Sequence, residues 1–313
     1  MRVRPARAPR LALLRKLTLE KATGAGRPRH LSAASGLARI GNQIYVIGDD
    51  EHHLAMFAGH DHQRRGTLVR LRCGELPPEK EERKRRKPDF ESLVVLPPFG
   101  GYAHGALFAM GSGSKPNRRA AVLLELTADG SIAGQPRPIA LTNWFTRFER
   151  EFAEVNLEGA FIAGKYLCLL QRGHRGNPRN ARVRIALAPV LDALARRSAL
   201  PAPMIEDVVD FALGAFDDAP LCFTDGAALR GGGFVFTAVA EATDDSYADG
   251  ACLGAAIGII DQDDRLRALW QLEPALKIEG IDARVRGASL VLTVVTDADR
   301  PSVAAQLLSV TLR

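Results

Sequence analysis

A chain of 313 residues with 46% apolar and 25% charged side chains has the composition of an ordinary globular protein, which argues against a disordered or fibrous one. The net charge of +6 and pI near 9.3 would suit a polyanion, yet the positive charge is scattered. Its densest run, Lys80 to Lys87, is mixed with Glu79, Glu81 and Glu82, so it predicts a solvated charged loop over 79–88 rather than a nucleic-acid track. No apolar run approaches the ~20 residues that span a bilayer, and Cys73, Cys168, Cys222 and Cys252 are too dispersed for a disulfide framework or zinc spacing. The expectation is a cytoplasmic monomer with neither a nucleic-acid nor a membrane partner.

In chain order, residues 1–10 are basic and predicted flexible. Residues 11–14, the longest uncharged stretch before Lys21, are too short for a signal-peptide core. Residues 11–19 read as a strand. Residues 36–40 and 43–48, joined by Gly41-Asn42, then read as an antiparallel hairpin, with further strands at 53–57 and 67–72. The second unit has its inner hairpin after Phe90-Glu91 and strands at 120–126 and 136–141. Phe145, Phe148 and Phe152 at helical spacing predict a helix over 144–155. A third unit runs 159–163, Gly164-Lys165, 166–170, 182–187, a helix over 189–198, and 205–213. A fourth comprises 227–229, 234–239, 255–260 and 266–272. The fifth has 281–285, Arg286-Gly287, 290–295 and 304–312, with no room for a fourth strand. Residues 11–19 can supply that strand by pairing the two ends of the chain.

An oxygen-bearing side chain stands at the head of each unit: Ser35, Glu91, Glu158, Asp225 and Glu279. These lie 56, 67, 67 and 54 residues apart, and 69 residues separate the last from the first through the termini. A closing repeat of this length with four strands per unit predicts an all-β, five-bladed β-propeller in one domain over 1–313, with its ring closed by the N-terminal strand. Six blades are the alternative, the 67-residue intervals being the place for a hidden one.

In such a blade the start of the innermost strand and the end of the second face the same mouth. The first position holds the five residues just named. The second holds Asp49 and Asp50, Ser112 and Ser114, Gln171 and Arg172, Glu241, and Asp297. Four carboxylates converging on a channel repel unless neutralised. Oxygen-only donors in a roomy ring suit calcium, or magnesium if most of its shell stays water. Arg172, Arg118 and Arg119 bring positive charge toward that mouth, as a small anionic ligand would need, and His104 is a candidate for proton transfer there. Asp244-Asp245-Ser246 and Asp249-Gly250 predict a polar loop near the channel. His52, His53, His60, His62 and Asp61 read as a surface loop with fortuitous histidines. Gly111-Ser112-Gly113-Ser114-Lys115 lacks the upstream glycine of a P-loop, and Pro116 argues against a following helix.

The segments Ser35-Gly36-Leu37 through Gly48-Asp49-Asp50, Phe90-Glu91, Leu157-Glu158-Gly159 and Lys277-Ile278-Glu279-Gly280-Ile281 resemble, distantly, the calcium-activated nucleotidases (apyrases). The Glu-Gly openings are also similar to those of esterase-like phytase propellers and uncharacterised bacterial propeller families. The resemblance implies an axial calcium held by one side chain per blade and hydrolysis of phosphorylated small molecules. Asp225 departs from the serine-type position of the nucleotidases, and their arginines are not clearly placed here. The resulting expectation is a metal-dependent hydrolase in which Arg172 and Arg118 or Arg119 neutralise charge and Asp49 or Asp50 orients a water. The competing expectation is a non-catalytic binding propeller with a structural ion.

Overall fold

The computed structural model describes residues 9–244, 250–298 and 300–312. After β1 (Leu11–Lys16), the first blade is β2 (Ala34–Ile40), β3 (Gln43–Gly48), β4 (His53–Ala58) and β5 (Thr67–Arg70). A short helix, α1 (Lys80–Arg86), leads to the second blade: β6 (Phe90–Leu96), β7 (Ala106–Gly111), β8 (Ala120–Leu126) and β9 (Ile132–Ala140). Helix α2 (Thr142–Phe148) precedes the third: β10 (Leu157–Ala163), β11 (Tyr166–Gln171), β12 (Asn180–Ala186), α3 (Leu187–Ala195) and β13 (Ile205–Phe211). The fourth adds a two-residue piece, β14 (Ala215–Phe216), to β15 (Ala219–Ala228), β16 (Phe234–Glu241), β17 (Cys252–Ile260) and β18 (Leu266–Gln271). The fifth is β19 (Ile278–Arg286), β20 (Ser289–Thr296) and β21 (Gln306–Leu312), completed by β1.

Local chemistry explains the hairpins. Ile40 lies opposite Gln43 with only Gly41-Asn42 between them. Gly41 takes φ +53, the conformation that a type II′ turn requires at its first central position. Gly164-Lys165 turns β10 into β11 in the same way, with φ +59 at the glycine.

Ring closure follows the expected route: β1 pairs antiparallel with β21, Leu11 opposite Val310 and Lys16 opposite Gln306. Innermost strands β2, β6, β10, β15 and β19 each contact the next, and β19 returns to β2. Five blades therefore fill the circle. The long intervals hold α2 and α3 instead of a sixth blade.

Each blade is buried on both faces, so its strands are runs of apolar residues rather than alternating ones; β7 is buried along its whole length. The core is accordingly divided into five clusters, one at each junction between neighbouring blades. The largest, between the second and third blades, takes in Trp144, Phe145 and Phe148 of α2 and Leu187, Val190 and Leu194 of α3. Both helices are apolar packing pieces at that junction, shorter than their sequence windows predict.

The stretch 79–88 is not a solvated loop. It contains α1, and Arg83 and Lys87 are buried. The outer charges do pair along the helix, Glu82 with Arg86 at 2.8 Å. Arg83, however, reaches inward to Asp50 at 2.8 Å and to the carbonyl of Pro78 at 2.6 Å, which pulls the segment onto the mouth of the channel. His53 is likewise not on a surface loop; it opens β4 and is buried. Pro116 begins a single 3₁₀ turn, Pro116–Arg118. No helix among the described residues is long and apolar enough to cross a membrane.

Candidate functional site

The pairing between the first and second strands slips at one point in every blade. The residue left without a partner is Ser35 in the first blade, Glu91 in the second, Glu158 in the third and Thr224 in the fourth; in the fifth, Glu279 and Gly280 are skipped together. A β-bulge frees one side chain from the two-faced alternation of the strand and aims it elsewhere. Of the residues so freed, Ser35, Glu91, Glu158 and Glu279 line the channel mouth, and Thr224 does not. The bulged positions are Ser, Glu, Glu, Thr and Glu, the fourth-blade one being Thr224 rather than Asp225.

Ser35 and Thr224 are spent on the backbone of the following blade. Ser35 donates to the carbonyl of Phe90 at 2.5 Å, and Thr224 to that of Ile278 at 2.8 Å. Asp225 lies one residue on, buried against neighbouring blades. It accepts from the backbone N–H of Gly226 at 2.7 Å and of Ile281 at 3.0 Å. Burial pushes its carboxyl well above the usual range, although the amides oppose this.

The three glutamates face a hollow of about 780 Å³, part of it open to solvent. Seven carboxylates line it: Asp49, Asp89, Glu91, Glu158, Glu241, Glu279 and Asp297. Against them stand six cationic side chains: Lys84, Lys87, Arg118, Arg172, Arg175 and Lys277. Of the second-strand positions, Asp49, Arg172, Glu241 and Asp297 reach the hollow, as the topology requires. Ser112 sits behind it, donating to Asp89, and Ser114 joins that cluster through Arg118. Gln171 turns back onto the backbone of Asn156.

The acids are bound into a chain of ion pairs that crosses from blade to blade. Lys87 bridges Asp49 and Asp89, the latter at 2.7 Å, and Arg118 holds Asp89 from the other side at 2.8 Å. Arg172 joins Glu158 at 3.1 Å to Glu241. Lys277 joins Glu241 at 3.2 Å to Asp297 at 3.1 Å, with Glu279 further off at 3.9 Å. Much of the repulsion that the sequence assigns to an ion is thus relieved by the protein's own cations, and not all of it. Glu279 is buried with Oε1 lacking a hydrogen bond. Glu91 makes no ion pair among the described residues, and one oxygen each from Asp49, Asp89 and Glu91 lies within 4.8 Å of the others. Burial, reinforced by Glu158, holds the carboxyl of Glu91 well above its ordinary value. Burial raises Glu279 as well, against Lys277 and Arg172. Asp49 is pushed up to about 7 by burial and by Asp50, Asp297 and Asp89, which together outweigh Lys87. Lys87 and Arg172 stay charged despite burial, because the negative charge of their acidic partners keeps the proton on the cation.

Four expected site residues lie elsewhere. His104 is exposed in the turn that enters β7, at the opposite end of the blade from the mouth. Arg119 pairs with Glu149 beside Phe145 and does not line the hollow. Asp50 turns away to Arg27 at 3.1 Å and Arg83 at 2.8 Å. Asp225 is among backbone amides, as described. In the expected polar loop, Asp245, Ser246 and Asp249 lie outside the described residues. The sequence reading passed over Lys87, Asp89, Asn156 and Lys277 as site residues. For Asn156 and Lys277 the signal is the period of two: Asn156-x-Glu158 and Lys277-x-Glu279 put alternate residues on one face of an extended chain. Lys87 and Asp89 carry no such signal, because the backbone turns left-handed at Asp89, φ +56, just before β6. Cys222 also lines the hollow, its thiol pushed up to about 11 by burial, so it stays protonated; His174 lines it too, its ring nitrogens engaged by Glu154 at 2.9 Å and by the N–H of Gly176 at 3.2 Å.

Fold and mouth together define a five-bladed β-propeller with an acid-rich, cation-bridged axial opening. Residues 30–312 match the family described as "Family of unknown function (DUF6929)", and the chain belongs to that family. No curated protein matches it. Among solved structures, it is similar to a luciferin-regenerating enzyme, with 11% identity, TM-score 0.47, and coverage of 96% of this chain and 95% of that one. It is also similar to a gluconolactonase from Xanthomonas campestris, with 11% identity, TM-score 0.42, and coverage of 96% and 90%. An endo-arabinanase from Bacillus licheniformis has 11% identity, TM-score 0.40, and coverage of 94% and 96%. Likeness at this level carries no residue role across.

Proposed function

We propose that the mouth binds a divalent cation, calcium in the first instance and magnesium as the alternative, and that the protein is a metal-dependent hydrolase of a phosphorylated small molecule. One observation carries the reading: carboxylates buried at the axis, with Glu279 Oε1 lacking a hydrogen bond and Glu91 lacking an ion pair among the described residues. Leaving a buried acceptor unsatisfied costs ~1–3 kcal/mol, and a hard cation among oxygen donors removes that cost. Glu91, Glu158 and Glu279 would hold it; Ser35 is left out because its hydroxyl serves the carbonyl of Phe90. Asp225 is left out because its oxygens serve backbone amides.

When bound, the ion supplies polarisation of a phosphoryl oxygen. Arg172 and Arg118, both lining the hollow, neutralise charge that gathers on the phosphoryl group. Asp49, which lines the hollow with one oxygen within 4.8 Å of Asp89 and Glu91, stands where it can take a proton from an attacking water. A water loses that proton to Asp49 as its oxygen bonds to phosphorus. The bond from phosphorus to the leaving oxygen breaks, and the leaving oxygen takes a proton from solvent.

A second reading has its own support. Lys87, Arg172 and Lys277 already bridge neighbouring blades, so an ion completing that ring would brace the propeller, leaving the mouth to bind a ligand without turnover. Phosphate release and melting temperature, both measured with calcium on a panel of phosphorylated small molecules, separate the two. The hydrolase reading expects wild-type turnover. Asp49→Asn should then lower kcat by about 10²–10⁴ while keeping the calcium-induced rise in Tm, and Glu158→Gln should lose both. Turnover absent from wild type, with a Tm that still responds to calcium, selects the binding reading.

A further inference from the structure

An ammonium already stands where a metal ion would find its donors. Nζ of Lys87 bridges Asp49 and Asp89, the latter at 2.7 Å. Glu91 is the third member of that group, whose oxygens lie within 4.8 Å of one another. Lys87 leaves part of the group unserved. Glu91 is 9% exposed, lines the hollow, and makes neither a hydrogen bond nor an ion pair among the described residues. Asp49 keeps Oδ1 buried and without a hydrogen bond. Asp89 is oriented from behind: Ser112 and Arg118 engage its Oδ2, the latter at 2.8 Å, which leaves Oδ1 for Lys87. A lysine ammonium is a compact point charge, whereas calcium gathers about 6–8 oxygens around itself. The backbone of Lys87 is pinned, its N–H donating to the carbonyl of Arg83 at 2.7 Å and its carbonyl accepting from Asn117 at 3.1 Å. Its flexible stem can therefore withdraw the ammonium without moving α1.

We propose that Asp49, Asp89 and Glu91 form a second position for a hard divalent cation, beside the axial one, and that Lys87 occupies these acids until an ion displaces its ammonium. The donors are all carboxylate oxygens, which suits calcium rather than a thiophilic metal. This deepens the ion-assisted reading above and rests on it for the consequence, although Glu158 and Glu279 do not belong to the second position. An ion here engages Asp49 and so opposes the proton transfer assigned to that residue. Calcium at the axis supports hydrolysis; calcium at the second position restrains it. Competition from the tethered ammonium weakens the second position relative to the first, which separates the two effects on the calcium scale.

Calcium titration calorimetry on the full chain, together with amine labelling read by mass spectrometry, tests the exchange. Wild type should bind a tight ion and a weaker one. Lys87→Met, similar in length and uncharged, should bind the weaker ion at least about tenfold more tightly, because a positive charge no longer stands beside it. The labelling needs no variant. In chelator Lys87 should resist acetic anhydride, and its labelling should rise several-fold as calcium fills the weaker position. Lys165, exposed in the hairpin turn of the third blade, should stay constant. Labelling of Lys87 that calcium does not move, or calcium bound no more tightly by Lys87→Met, overturns the exchange; should that variant fail to fold, the labelling alone decides. Failure of the axial reading looks different: a single calcium binds, Glu158→Gln leaves its affinity unchanged, and the labelling of Lys87 still follows it.

Discussion

The same backbone slip serves two opposite purposes around this ring. In the first and fourth blades it carries a hydroxyl, and Ser35 and Thr224 each donate to the carbonyl just ahead of the next blade's glutamate, at Phe90 and Ile278. In the second, third and fifth blades it carries a glutamate, and the resulting buried charge is only partly matched. Glu158 is the best served, accepting from Asn156 at 2.7 Å and Arg172 at 3.1 Å; Glu279 and Glu91 are not. Hydroxyl bulges hold blades together, whereas carboxylate bulges hold charge in the channel at a cost to the fold. A position that costs stability in three blades out of five, where a serine or threonine would serve, points to work done by the charge.

The largest effect should come from neutralising that charge. Glu91→Gln combined with Glu279→Gln is expected to weaken calcium binding by about 100-fold or more, at or beyond the upper end of what outer-shell changes cost in metal sites. In the presence of chelator the same variant should be more stable than wild type at pH 8, because two raised carboxyls no longer have to ionise inside the protein. Calorimetry and chemical denaturation read the two quantities separately. A double variant that binds calcium like wild type would erase the distinction between the two kinds of bulge.

The pH dependence sharpens the contrast without any substitution. A carboxyl whose folded pKa lies above its unfolded value binds its proton more tightly when folded. Its contribution is fully present below about pH 4 and is lost as pH rises through the folded value. Asp49 sets that window, from its ordinary 3.8 to about 7, and Glu91 and Glu279 shift in the same direction. Chelated protein should therefore lose stability from pH 5 to pH 8, on the order of a few kcal/mol in all. With saturating calcium the loss should shrink, because binding draws on the ionised form and releases protons. Denaturation at pH 5, 6, 7 and 8, with and without chelator, checks this. A chelated protein whose stability is flat over that range would mean that the axial acids are already fully compensated by Lys87, Arg172 and Lys277.

The blades were legible because their signals are local. Gly41-Asn42 and Gly164-Lys165 announce hairpins, and the closing period announces a circle. The ring-closing strand followed from arithmetic, since the last unit is one strand short. The bulge was legible only to within one residue. Thr224-Asp225 reads equally well in either register, and a slip of one exchanges channel for interior. Which one is bulged is settled by pairing across the sheet, Phe223 opposite Ala238 and Asp225 opposite Thr237, and pairing is not written in either residue. Lys87 and Arg83 were hidden for another reason. A run of mixed charge is normally solvated, and nothing local shows that Asp49, Asp50 and Asp89 lie beneath it. His104 was misplaced by direction alone: it precedes a second strand, whose start lies at the far end of the blade.

The smallest effect tests the hydroxyl half of the comparison. Ser35→Ala and Thr224→Val each remove one buried donor and leave a carbonyl of the next blade unsatisfied, at an expected cost of ~1–2 kcal/mol per site. Thr224 carries a second contact, to Thr237 at 2.9 Å, and Thr237 in turn donates to the carbonyl of Glu279 at 2.8 Å. The fourth-blade substitution should therefore cost slightly more than the first-blade one. Neither should change calcium affinity by more than about threefold, since neither alters a charge and each acts on the ligands only through backbone position. The size of that indirect effect is informative, because the carbonyls these hydroxyls fix belong to Phe90 and Ile278, immediately before Glu91 and Glu279. If Ser35→Ala weakens calcium binding as much as Glu91→Gln does, the serine is itself a ligand, and the division between bulges that bind blades and bulges that bind the ion does not hold.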